Sequence, residues 1–120
     1  MNDKMFKDYI EDLIGYSTEA SEKAKKEPDS LFYSAEKTAH TDILSWIEEF
    51  GLAFGTEDKI KEYIKCLIGV LEQLKKELKS DSRDGRNLAY YGALSLLKVY
   101  LTIDGPEKFG LDFDIDRRFL

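Results

Sequence analysis

The sixteen residues from 88 to 103, LAYYGALSLLKVYLTI, constrain this chain more than any other stretch. Lys98 is their only charged residue, and Ser95 and Thr102 are nearly their only other polar ones. A helix at a protein surface shows an apolar stripe and a wet face, so one apolar almost all round belongs in an interior. The stretch is also too short, and too often interrupted by polar groups, to cross a bilayer. The expectation is the central helix of a bundle, buried nearly all round, with the rest of the chain laid about it.

The flanking sequence supplies the other helices. Met5, Phe6, Tyr9, Ile10, Leu13 and Ile14 recur at helical spacing behind a cap at Asn2 or Asp3, and Tyr16, Ala20 and Ala24 extend the stripe. Gly15 interrupts it, marking a kink or a close neighbour, and Pro28 ends it. Asp29 or Ser30 caps a second helix with the stripe Leu31, Phe32, Ala35, Ala39, Ile43, Trp46, Ile47 and Phe50, stopped by Gly51. Its ionised residues, Glu36, Lys37, Asp42, Glu48 and Glu49, predict an acidic outer face. Residues 52–54, Leu-Ala-Phe, read as an apolar linker over the bundle end.

Thr56, followed by Glu57 and Asp58, caps a third helix carrying Ile60, Tyr63, Ile64, Leu67, Leu71, Leu74 and Leu78. Six lysines against three glutamates between 59 and 79 predict a basic outer face. The polar run SDSRDG, 80–85, reads as a turn before the central helix, which stops at Asp104-Gly105-Pro106. Small residues at Gly15, Gly69, Ala89 and Gly92 mark the expected closest approaches between helices.

The predicted fold is all-α, an antiparallel four-helix bundle with helices at about 5–24, 30–50, 57–79 and 84–103. The hydrophobic C-terminal helix lies at its centre, and 104–120 forms an extended C-terminal arm. In the arm Leu111, Phe113 and Ile115 alternate with Asp112, Asp114 and Asp116 as in a strand, but no second strand is present to pair with it. It is expected to dock through Phe109, Phe113 and Ile115 with its aspartates outward, either merely sealing the bundle end or presenting Asp112, Asp114 and Asp116 as a partner-binding edge.

Length makes residues 1–120 one helical domain, large enough to bury a core without staples. A composition 42% hydrophobic and 35% charged is that of a water-soluble globular chain. The net charge of −6 argues against nucleic acid as a partner, because phosphate contacts need clustered cations. Cys66 has no second cysteine to pair with, and no apolar run follows the start, so the expected home is a reducing cytoplasm, away from membranes. Lysine outnumbers arginine fourteen to four, as an AT-rich bacterial genome would produce.

The catalytic inventory is nearly empty. Glu36 and His40, four apart on a helix, could offer two metal ligands, but a site needs more, and no second histidine exists. Asp112, Asp114 and Asp116 resemble the start of a calcium loop, yet Arg117 stands where its glycine is required. Glu19 and Glu22 make an E-x-x-E pair of the kind found in helical nucleotide pyrophosphohydrolases, without the second acidic pair those enzymes need. No catalytic residue, metal ligand or cofactor is therefore expected. The four arginines fall in two pairs, Arg83 with Arg86 and Arg117 with Arg118, suited either to an anion or partner contact or to internal bridges.

These features lead to the expectation of a non-enzymatic helical protein-binding module, such as a small bacterial immunity, antitoxin-like, phage or mobile-element accessory protein. The alternatives are a small anionic-ligand-binding or hydrolytic bundle and a self-associating structural subunit. A homodimer could pair the acidic face of the second helix with the basic face of the third.

Overall fold

The computed structural model describes residues 3–51 and 56–120, and among these it holds five α-helices and no strand. They are α1 (Asp3–Lys26), α2 (Leu31–Glu49), α3 (Glu57–Lys76), α4 (Asp81–Tyr100) and α5 (Ile115–Phe119), with a 3-10 turn at Pro106–Phe109. The four long helices pack against one another, and no helix is long and apolar enough to cross a membrane. The linker expected at 52–54 and the cap expected at Asn2 lie outside the described residues.

Three of the four long helices have a side-chain cause for their start. The hydroxyls of Ser30, Thr56 and Ser80 accept from the backbone N–H of Tyr33, Lys59 and Arg83, at 3.2, 3.4 and 3.1 Å. The third of these overturns the expected turn at 80–85, because α4 begins there. Asp81 and Asp84 complement the dipole of its first turn. The α3 helix correspondingly ends at Lys76 and not near residue 79, leaving Leu78 exposed. Arg83 Nε donates to the Leu74 carbonyl at 2.7 Å, sharing with the Glu77 N–H an acceptor at the C-terminal end of α3.

The α4 helix packs against α1, α2, α3 and α5. Its closest approach is to α2 at Gly85, where a Cβ would lie 2.3 Å from the Phe32 carbonyl oxygen. Buried Ala39 on α2 and Ala89 and Ala93 on α4 keep both helices narrow. By contrast, a Cβ at Gly15, Gly69 or Gly92 would meet nothing within 4 Å, so the close approaches expected at those glycines are absent. The core joins Phe6, Tyr9 and Leu13 to Ile43, Ile47, Tyr63, Leu67, Leu71, Leu94 and Leu97. Within it the Tyr9 hydroxyl donates to the Ala93 carbonyl at 2.9 Å and meets the Tyr63 hydroxyl at 2.8 Å, tying three helices together. Burial pushes both phenols well above their ordinary pKa, so they stay neutral donors.

The C-terminal segment is docked but is not an extended arm. Pro106 starts the 3-10 turn, Gly110 leaves it at φ +81°, and Asp114 caps α5 by accepting from the Arg117 N–H at 3.2 Å. Phe109, Leu111, Ile115 and Phe119 are buried, with Phe113 packed against them. Lys98 Nζ donates to the Phe113 carbonyl at 2.6 Å, and Asn87 Nδ2 to the Phe119 carbonyl at 3.1 Å. The apparent alternation therefore reflects turns that place apolar side chains inward, not a strand.

The α4 helix is also not buried all round. Leu88 is 42% and Val99 68% exposed, because α1 lies mainly on α2 and only edges α4. Ile14 and Tyr16 on α1 are exposed on the outside of the expected stripe, as is Leu31 on α2.

Candidate functional site

The side of α4 that no helix covers forms one wall of an open groove of about 370 Å³ between α1, α2 and α4. Leu88, Gly92, Ser95, Leu96 and Val99 recur at intervals of three or four, so they share one face of α4. The opposite wall is Tyr16 and Glu19 of α1. The floor is Glu36 and His40 of α2. Gly92 has no side chain, so the groove deepens beside it; the space is wider there than any other residue would allow.

Glu36 is not on an acidic outer face, as expected from its charge, but only 8% exposed. It falls on the stripe with His40, Ile43 and Ile47, which α2 turns toward the interior. Burial raises its carboxyl above the ordinary range, with Glu19 adding to the effect and Lys23 opposing it. Burial holds the His40 imidazole below its ordinary value. His40 Nε2 lies 3.9 Å from Glu36 Oε1, and the directions of the two shifts mean burial opposes an ion pair between them. Glu36 Oε2 is buried with no hydrogen-bond partner. The Tyr16 ring stands over His40 with centroids 6.5 Å apart.

The groove wall on α1 carries one acid, Glu19, and further acids continue along the same face of the helix. Asp8, Asp12, Tyr16 and Glu19 succeed each other at helical intervals, and Tyr100 of α4 donates to Asp12 at 2.5 Å. That hydrogen bond lifts the Tyr100 phenol to about 12, with Asp8 adding to the effect.

Of the residues singled out by sequence, Glu19, Glu36 and His40 line this groove, and the arginines and C-terminal aspartates lie elsewhere. Arg83 and Arg118 line a second cleft with Lys75, Lys79, Phe32 and Phe119. Arg83 is engaged by Leu74 and by Asp84 at 2.9 Å, and Arg118 by Glu72 and by the faces of Phe113 and Phe119. Arg86 reaches Glu77 at 2.8 Å, outside that cleft, and Arg117 is exposed on α5. The structure thus separates each sequence pair. Asp112, Asp114 and Asp116 are exposed; Asp114 caps α5 and Asp116 accepts from the Tyr91 hydroxyl. Cys66 is half-buried, with its thiol pushed up by burial. Among the described residues no three His, Cys, Asp or Glu side chains form a group that could hold a metal ion.

Compared with known protein families, with curated proteins and with solved structures, the chain matches none.

Proposed function

We propose that this protein is a non-enzymatic protein-binding module, whose docking surface is the uncovered side of α4 and whose occupant is a basic amphipathic helix of a partner protein. The observation that carries the reading is the apolar face of exposed Leu88 and Val99 with half-buried Leu96 between them, on a helix otherwise turned into the core. Exposed apolar faces of this kind, bordered by polar rims, mark interaction sites. An apolar groove between helices suits the apolar stripe of another helix. The choice of a basic partner follows from charge: Glu19 and Glu36, the two acids among the groove's lining residues, face no lysine or arginine there. An up-down-up-down order of the four helices agrees with the four-residue links before α2 and α4.

A photoreactive phenylalanine analogue placed at position 99 tests this in cells of the native source, with the same group at exposed Lys65 as the control. The expected product joins position 99 to a foreign segment with apolar residues three and four apart and lysine or arginine between them. A cross-link to a second copy of this chain, or no product beyond the control, would overturn the reading.

Self-association through the exposed acids of α2 and the lysines of α3 is a separate proposal. Such contacts weaken with salt, and sedimentation of a monomer at high concentration and low salt ends it.

A further inference from the structure

We propose that the floor of the groove is a cation-accepting subsite, in which Glu36 takes the ammonium or guanidinium group of a lysine or arginine projecting from the docked helix. The proposal rests on the docking reading above and names the group by which that partner would be recognised.

The Glu36 side chain is nine-tenths buried at the groove floor, and its Oε2 atom has no hydrogen-bond partner. Buried carboxylate oxygens are ordinarily paired, and an ionised carboxylate can only accept, so the group it lacks is a donor. The nearest internal cation does not supply it: Lys23 stands over the Tyr33 ring, 5.8 Å from its centroid. The other wall residues favour a donor with an alkyl stem. Leu88, Leu96 and Val99 would pack the stem, as apolar surfaces do with the methylenes of lysine and arginine. Ser95 provides a hydroxyl as a further acceptor, and Glu19 on α1 adds negative charge from the opposite wall. His40, beside Glu36, stays neutral through burial and so does not repel a cation.

The same arrangement disfavours an acidic or purely apolar head group at this position. A carboxylate would meet Glu36 and Glu19, and a methyl group would leave Oε2 without a donor. The recognition is therefore of charge as well as of shape. Cation and carboxylate also stabilise each other's charged form, so a bound cation draws the Glu36 carboxyl back down toward its ordinary range.

The test uses the lysine side-chain analogue n-butylammonium, with n-butanol as its uncharged match, titrated into the full chain and followed by amide and side-chain carboxyl NMR shifts. The expected result is that n-butylammonium perturbs residues 36, 40, 92 and 95 and binds about ten-fold more tightly than n-butanol, the scale of one charge-assisted hydrogen bond. Glu36→Gln should abolish that preference while its spectrum shows an intact fold. Gly92→Leu, which fills the groove from α4, should abolish both titrations. Equal binding of the two probes, a preference that survives Glu36→Gln, or no perturbation by either probe would overturn the subsite. Each of those failures is separable from failure of the docking reading, which the cross-link from position 99 decides on its own.

Discussion

Glu36 and the two glycines Gly85 and Gly92 show how much a single position carries in this fold. Because burial raises the Glu36 carboxyl, charging it costs the folded chain more than the unfolded one. That cost is absent well below the ordinary value of 4.5 and is fully present once pH has risen through the raised value. Glu36→Gln should accordingly raise the urea midpoint at pH 7 and leave it nearly unchanged in acid; a loss of stability at pH 7 would show that the carboxylate is satisfied. The glycines should behave oppositely to each other. Gly85→Ala forces a methyl against the Phe32 carbonyl, in backbone that neither helix can easily move, and should cost about 1–3 kcal/mol in urea unfolding. Gly92→Ala meets nothing and removes a helix-interior glycine, so it should stabilise by up to about 1 kcal/mol. Tyr9→Phe would leave the Ala93 carbonyl and the Tyr63 hydroxyl without the partner they share, costing about 1–3 kcal/mol.

Among the elements, α4 divides sharply into a face that holds the fold and a face that does not. Leu97 is fully buried, and Leu97→Ala should cost about 2–5 kcal/mol in urea unfolding. Val99, two residues on, points outward, and Val99→Ala should stay within about 0.5 kcal/mol of the parent. Near-equal losses at the two positions would mean that something covers the open face in the isolated chain. Much of this was legible in the sequence. The caps at Ser30 and Thr56, the stop at Gly51 and the apolar stripes of α2 and α3 all follow from local chemistry that the fold leaves in place. What local chemistry could not supply was the number of neighbours around α4. An apolar helix surface reads the same whether another helix lies on it or a groove does. SDSRDG has the composition of a turn and so hides Ser80, although a serine followed by acids also starts a helix. The charge of Glu36 argues for the outside, although its spacing from His40, Ile43 and Ile47 puts it on the buried stripe. Asp114 and the glycines at 105 and 110 were the signs that the C-terminal segment turns instead of running straight.

At the scale of the whole molecule, the core is complete without one side of α4. Tyr9, Tyr63 and Ala93 lock α1, α3 and α4 at the centre, while α5 closes the edge of α4 beside Asn87 and Lys98. Neither requires Leu88, Val99 or Ile103, which stay exposed. The central claim is that this exposed side binds a partner. Its most direct test is the cross-linking yield from a photoreactive group at position 16 on the groove wall, measured in the parental chain and in Leu88→Gln/Val99→Gln. Because both side chains are exposed, the account predicts that the double variant keeps its urea midpoint within about 1 kcal/mol, and that its cross-link to the partner falls about ten-fold or more. An undiminished cross-link in the folded double variant would contradict it.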